Sequence, residues 1–518
     1  MDAAFARLIQ CLDTIYNPTT PNDARTAEYA VLDKFKASNP PDVARIAFEL
    51  IARPDLPLHS RFFGAQALSH IIKVVLAPVD DAHSAIADIC TQTCALLASP
   101  ALDLATSGQP AKVLATRLVA VLLDGAKAVW PTHWPTLLAD VSALSATGPT
   151  GALAAMTFIN DLTDAAFNAT PSLTPARRLQ LTDALDDSLE DELLPAIVRT
   201  ACAALVLAGV DSSAFAAAVP AANAPGSELL ARLASAASAP WLVSALVSAS
   251  ASALGAAAPC TTPATLRESG AWAVLQALLL EPVTSVAANA TAAALLSRRI
   301  KRASMFGAEF VELWQTVLRL LTLSSAPEAR NNLGRGAQTR ILCAALRTAT
   351  LLVRDCHDAL TVLPRTGSGA GDGGALLESV VTNTLGAALA LAEFDSRRVV
   401  LEAGELALAV AEARLLVNHT GAPAQALRTA LPPLVALTLR LASRLPVRPR
   451  DAEESDDEDE GCFDAEEETA RDLQWERNGR ATAGRLCMAL AATTPSGLLA
   501  AFMQETGRAV VDFQVRNM

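Results

Sequence analysis

The sequence predicts an all-α fold built as a HEAT-like helical-repeat solenoid, an α–α superhelix, and three observations carry that prediction. Hydrophobic residues make up 52% of the 518 but aromatics only 4%. The apolar content is therefore Ala, Leu and Val, a mixture rich in helix formers. Apolar residues recur at three- and four-residue steps over segments of roughly 15–20 residues, the period of one helix face. These segments fall into pairs at a loose period of about 40 residues, the spacing of HEAT and armadillo units, so about ten to twelve pairs would fit. Such units bury their faces only by stacking on neighbours, and the stack offers a concave binding surface. One compact domain of this length would be unusual.

In chain order, the first helix covers Asp2–Tyr16 and is closed by Asn17-Pro18. Proline lacks an N–H and clashes with the preceding turn, so it ends helices and is tolerated only in their first turn. On the same ground Asn22–Ala37 stops at Asn39-Pro40-Pro41, and Asp42–Ala52 stops before Pro54. Pro57–Leu76 is next, with Leu58, Phe62, Ala65, Leu68, Ile72 and Val75 as its expected core stripe and Gln66, Ser69, His70 and Lys73 sharing a polar face. Asp80–Ala98 and Pro110–Val129 follow. A further helix runs from the corner at 130–135 to Leu144, then Thr150–Phe167. Thr174–Leu207 reads as a helix pair opened by an N-cap Thr174 and Pro175 at N1.

Trp241–Ala258 is uncharged and long enough to span a bilayer. Its many Ser and Ala residues make insertion poor, so it is expected as a buried solenoid helix, with no membrane insertion. Thr265–Leu279 and Thr284–Arg299 form another pair. Phe306, Phe310, Leu313, Val317 and Leu320 mark one amphipathic helix and Thr339–Leu360 another. After a Gly-rich break at Thr366–Gly374, two helices span Leu376–Val417 and one covers Ala424–Leu445. Residues 446–468 carry Asp451-Ala452-Glu453-Glu454-Ser455-Asp456-Asp457-Glu458-Asp459-Glu460, a like-charged run that repels itself and cannot bury, so a disordered loop is expected there. Helical pattern resumes over Ala465–Thr493 and again from Ser496. No polar capping unit closes the array before Met518, so it reads as cut short.

Val129-Trp-Pro-Thr-His-Trp-Pro135 is the most distinctive stretch. Two of the six Trp residues, Trp130 and Trp134, each precede a proline, Pro131 and Pro135. This spacing predicts a tight helix–helix corner anchored by buried indoles.

Net charge is −13, which argues against nucleic-acid binding by the chain as a whole and suits basic protein partners. Nine Cys without C-x-x-C spacing are expected as core thiols in a reducing compartment. No signal-peptide pattern opens the chain. The six His are isolated, without an i, i+4 pair for a metal. Gly369, Gly371 and Gly374 match G-x-G-x-x-G only formally, since no strand precedes them. With no P-loop, H-E-x-x-H or G-x-S-x-G, the chain is expected to be neither an enzyme nor a holder of cofactors or metals. Arg298, Arg299, Lys301 and Arg302 form a basic cluster at a helix end. They read as partners of the helix dipole, as a nuclear-localisation-like patch, or as part of a groove touching acidic cargo or phosphate. Ser455, followed by Asp456-Asp457-Glu458, fits an acidic-directed phosphorylation site.

Four stretches carry most of a resemblance to a known family. Arg61-Phe62-Phe63-Gly64-Ala65-Gln66-Ala67-Leu68-Ser69-His70-Ile71-Ile72-Lys73 resembles the second-repeat helix of exportins in the importin-β superfamily. Trp130-Pro131-Thr132-His133-Trp134-Pro135 is similar to the exportin Trp-Pro-x-x-Trp-Pro corner. Phe158-Ile159-Asn160-Asp161-Leu162-Thr163-Asp164 and Leu173-Thr174-Pro175-Ala176-Arg177-Arg178 are similar to the exportin-five branch, carriers of precursor microRNA and other structured RNA. The basic cluster, the acidic run and Asn478-Gly479-Arg480 follow in the same order. Family members are longer than this chain. The resemblance implies exportin N-terminal HEAT repeats over 1–170, further repeats over 171–445, the acidic loop at 446–468 and further helices over 469–518. It implies a shuttling receptor that binds Ran-GTP, structured RNA or protein cargo, and nucleoporins. Asn22–Ala37, Pro57–Leu76, Pro110–Val129 and Thr150–Phe167 would be the inner helices, with Lys34, Gln66, His70 and Lys73 facing Ran. An importin with protein cargo and a HEAT scaffold independent of Ran are the alternatives.

Overall fold

A computed structural model describes residues 3–167, 173–257, 261–280, 308–326, 328–329, 331, 334–355, 372–392, 394, 396–413, 422–442, 465–493, 497–498 and 500–506. These residues are helices and short connections, with no strand among them. They belong to two compact units, Met1–Leu278 and Leu279–Met518.

The first unit opens with α1 (Ala3–Tyr16), α2 (Asn22–Lys36), α3 (Pro40–Ala52), α4 (Leu58–His70), α5 (His83–Leu97), α6 (Leu104–Val129), α7 (Leu137–Ser145) and α8 (Pro149–Phe167). It continues with α9 (Pro175–Ser188), α10 (Leu194–Leu207), α11 (Ser213–Ala216), α12 (Ser227–Leu233), α13 (Pro240–Ala257), α14 (Pro263–Glu268) and α15 (Ala271–Leu280). Four helical pairs repeat one motif: α3 packs on α4, α5 on α6, α7 on α8 and α10 on α13. The second members then stack on one another, α4 on α6, α6 on α8 and α8 on α13, and make a continuous row. α1 packs on α2 and reaches α4, whereas α2 reaches α3. Prolines open α3, α8, α9 and α13, where the missing N–H would have had no helical partner.

Close helix approach is built into the row. A Cβ on Gly64 of α4 would lie 2.7 Å from the Ala47 carbonyl oxygen and 2.9 Å from Ile51 Cγ1 on α3. Only glycine lets those two backbones meet there.

Three expectations for this unit need correction. Thr174–Leu207 is not a hairpin pair but one unbroken run: α9, a π-helical turn at Leu189–Leu193, then α10. No glycine or turn dipeptide interrupts it, and Pro195 lies in the first turn of α10, where it is tolerated. α10 packs instead on α13, a helix long and apolar enough to cross a membrane by length and composition. Packed between α8 and α10, α13 buries 56% of its length.

The expected Thr265–Leu279 helix is cut at Gly270, which has φ of 82° and separates α14 from α15. A Cβ there would meet Val219 Cα at 2.8 Å. On α4 and its extension the expected core stripe holds at Ala65, Leu68 and Ile72, which are fully buried, but not at its N-terminal end. Leu58 is 37% exposed and Phe62 half-buried, while Phe63, Ala67 and Ile71 are buried. The core face is therefore wider than that stripe and takes in Ser60, Gly64 and Ala67, with α3 packed against Gly64.

The second unit contributes α16 (Ala308–Ser325), α17 (Arg335–Asp355), α18 (Asp372–Leu391), α19 (Arg397–Glu412), α20 (Ala422–Thr429), α21 (Leu431–Ala442) and α22 (Ala465–Thr493). α16 packs on α17, α18 on α19 and α21 on α22, and the second members again form a row, α17 on α19 on α22. Leu313, Val317 and Leu320 are buried, as their spacing predicts. Trp314 Nε1–H donates to Thr384 Oγ1 at 3.1 Å, tying α16 to α18. The expected Ala424–Leu445 helix is two, because Pro432 and Pro433 open a new one at Leu431. α22 starts at Ala465, four residues inside the 446–468 segment. Residues 446–464 and the helix expected at Thr284–Arg299 lie outside the described residues.

Candidate partner-binding face and Trp-Pro corner

At the corner α6 ends on Val129, and both indoles are buried, Trp130 at 2% exposure and Trp134 at 3%. The Trp130–Pro131 peptide is cis. Trp134 Nε1–H donates to Asp140 Oδ2 at 2.9 Å, and Thr136 Oγ1 donates to the same oxygen at 3.0 Å. The buried indole N–H is thus satisfied by a carboxylate one turn into α7. On the other side Arg177 of α9 caps α6. Its Nε–H donates to the Lys127 carbonyl at 2.9 Å, and Nη2 reaches the carbonyls of Ala126, at 3.3 Å, and Trp130. The last carbonyls of a helix have no helical donor and carry its negative dipole end. A planar guanidinium suits them better than an ammonium would. Burial pulls the Arg177 pKa below its ordinary value. His83 at the start of α5 and His133 in the corner stack with centroids 4.2 Å apart.

Gln66, His70 and Lys73 come together on the solvent side of α4 and its π-helical extension, Ile71–Leu76. Lys73 is 59% exposed, but its ammonium is not free: Nζ sits 2.9 Å from Asp124 Oδ1 on α6. Ser69 Oγ donates to the other carboxylate oxygen at 2.6 Å. Asp124, with only 7% of its side chain exposed, is therefore satisfied from two positions of the neighbouring helix. The triad ties α4 to α6 across the row. Lys34 is exposed on α2, outside that row, and makes no hydrogen bond or ion pair with the other three. Arg298, Arg299, Lys301, Arg302 and Ser455 lie outside the described residues.

The row in the second unit carries its own polar ladder. Arg347 Nε–H donates to Glu402 at 2.6 Å and Arg354 Nη2 to Glu405 at 2.7 Å, from α17 to α19. Thr482 Oγ1 donates to Glu405 at 2.6 Å and Arg485 pairs with Glu412 at 3.1 Å, from α22 to α19. Burial holds the Glu402 carboxyl above its ordinary pKa despite Arg347. Burial also acts upward on Glu405, but the Thr482 and Arg354 hydrogen bonds and nearby Arg charges outweigh it and bring that pKa down.

The described residues hold no group of three His, Cys, Asp or Glu able to bind a metal ion. Buried thiols are held protonated: Cys94 is pushed up to about 12 and Cys90 higher, both by burial. Neither is an activated nucleophile at neutral pH.

Sequence reasoning located both indoles but missed Asp140, Asp124 and the capping role of Arg177. Asp124 and Arg177 act across helices, while Asp140 closes the corner that opens its own helix. Arg177 reaches carbonyls 47 to 51 residues back, and no local pattern encodes that distance.

Residues 111–208 match the family model described as exportin 1-like protein. That stretch holds most of α6, the Trp-Pro corner, α7, α8 and the α9–α10 run. No curated protein matches the chain. Among solved structures, the chain is similar to Kap95p with RanGDP at 12% identity, covering 97% of this chain and 69% of that one, with a TM-score of 0.30. It is also similar to an engineered protein at 14% identity, covering 97% and 98% of the two chains, with a TM-score of 0.28.

Proposed function

We propose that this chain is a nuclear transport receptor of the exportin type. On this reading it binds Ran in its GTP state through the first repeats and carries cargo from nucleus to cytoplasm. The observation that carries the reading is the exportin 1-like match over 111–208. It falls on the segment whose buried indoles, Asp140 and Arg177 lock the turn from α6, a member of the stacked row, into α7. In such a receptor each ligand biases the curvature of the stack and so favours the other, a coupling that is reciprocal by linkage. Gln66, His70 and Lys73 are the residues proposed to face Ran, with Lys34 at its margin. Lys73 acts there as half of the Lys73–Asp124 pair.

Structured RNA is the proposed cargo, following the exportin-five resemblance. The net charge of −13 favours a second reading, a basic protein cargo. Capture of Ran loaded with a non-hydrolysable GTP analogue, compared with GDP, tests the receptor reading. Addition of a hairpin RNA with a short 3′ overhang then separates the two cargoes. RNA cargo predicts a ternary complex that forms only with the GTP form; protein cargo predicts none with that RNA.

A further inference from the structure

One edge of the first unit lines up aromatic rings and cations from four helices. Tyr16, at the end of α1, is 52% exposed and stacks on His59 of α4 with centroids 4.6 Å apart. One turn along α4, the Phe62 ring lies 5.8 Å beneath the Arg117 guanidinium of α6. Five residues back along α6, Lys112 Nζ lies 5.8 Å from the Trp241 ring at the start of α13. Leu58 and Val113, 37% and 48% exposed, lie on the same helical turns as His59 and Lys112. The strip thus crosses α1, α4, α6 and α13.

Its charges are unbalanced. His59 faces Asp13 at 3.5 Å, but neither Lys112 nor Arg117 has a carboxylate partner among the described residues. Arg117 Nε is buried without a hydrogen-bond acceptor. Elsewhere on the same row the exposed cation Lys73 has its carboxylate. A cation held over a ring keeps the ring's face attractive to it while leaving its donors for an incoming acceptor. Aromatic and Arg anchors beside exposed aliphatic groups are the composition of a binding hot spot.

We infer that this strip docks an acidic amphipathic peptide segment of a partner protein. Its carboxylates meet Lys112 and Arg117, and its apolar side chains lie on Tyr16, Leu58 and Val113. Unpaired cations select negative charge, and exposed aliphatic groups among them select apolar side chains. The inference rests on the first unit alone and needs no bound Ran, so its failure would leave the transport reading untouched.

The test uses the full chain and a fluorescein-labelled peptide in which glutamates alternate with leucine and phenylalanine, followed by fluorescence anisotropy. Binding is expected, weakening as salt rises, and the matching peptide with lysine for glutamate should not bind. The double variant Lys112→Glu, Val113→Asp changes two outward-facing positions, and should weaken binding about tenfold or more with an unchanged helical circular dichroism spectrum. If that variant does not fold, Tyr16→Ser at the far end of the strip replaces it and should weaken binding several-fold. Absent binding, equal binding of the lysine peptide, or unchanged affinity in a folded variant would overturn the inference. Oligouridylate binding that the same variant abolishes, with no effect on the peptide, would reassign the strip to nucleic acid and overturn it too.

Discussion

Arg177 and Trp134 show what single residues do in this fold. The guanidinium satisfies carbonyls at the end of α6 that α6 itself cannot satisfy. Arg177→Leu removes every one of those donors and should lower stability by about 1–3 kcal/mol in urea unfolding. Arg177→Lys should recover only part of the loss, since a point-like ammonium cannot fork between carbonyls. Full recovery with lysine would mean that charge alone matters. At the corner, Trp134→Ala should cost about 3–5 kcal/mol, as should Trp130→Ala, because both indoles are buried. Trp134→Phe keeps most of the packing but leaves Asp140 without its indole donor, so it should fall clearly between wild type and alanine. If phenylalanine and alanine were equally destabilising, the hydrogen bond and not the packing would hold the corner. The indoles were visible in the sequence because Trp-Pro repeated within a short span is rare by composition. Arg177 was not, because its partners are set by tertiary packing, and Asp140 was not, because its bond to Trp134 depends on how the corner folds back on α7.

Helix–helix contacts carry the next scale. Gly64→Ala would drive a Cβ to 2.7 Å from a backbone oxygen of α3, and backbone cannot yield as a side-chain tip can. The substitution should cost about 1–3 kcal/mol despite the better helix propensity of alanine. A neutral or stabilising result in thermal unfolding would contradict the close approach. The ladder in the second unit makes a pH prediction. Glu405 has its folded pKa lowered, so the stability it contributes is fully present above the ordinary glutamate pKa and is lost as pH falls through the folded value. Glu402 runs the other way: its raised pKa means the folded state loses stability as pH rises through its titration. Glu405→Gln should therefore flatten the acid side of the stability profile, and Glu402→Gln should not.

Helix existence was legible from the 3.6-residue period and from the prolines that open or stop most segments. Pairing was less so. The run from Pro175 to Leu207 contains no turn residue, yet its length suggested a hairpin, and the apolar character of Pro240–Ala257 said that it was buried without saying beside what. On α4, Leu58 and Phe62 read as core by periodicity, yet Leu58 is exposed and the Phe62 ring lies under the Arg117 guanidinium of α6, which hydrophobicity alone could not distinguish.

In the molecule as a whole, each unit repeats the same device, a row of helices packed side by side with polar ties across neighbours. In the first unit the tie is Ser69–Asp124–Lys73; in the second it is the Arg–Glu ladder. Lys73→Ala should therefore act in two ways if the face binds Ran. It removes a surface cation and leaves Asp124, nearly buried, with one donor fewer, so stability should fall by about 1–3 kcal/mol along with affinity. Lys34→Ala, on a helix outside the row, should leave stability within about 0.5 kcal/mol.

The proposed function stands on Ran binding that depends on nucleotide. The direct measurement is the affinity of the purified full chain for Ran loaded with a non-hydrolysable GTP analogue and for Ran-GDP, side by side. The account predicts binding to the GTP form at least about tenfold tighter, a coupling of the usual allosteric size, and weakened by loss of Lys73. Equal affinity for both forms, or no binding to either, would contradict it.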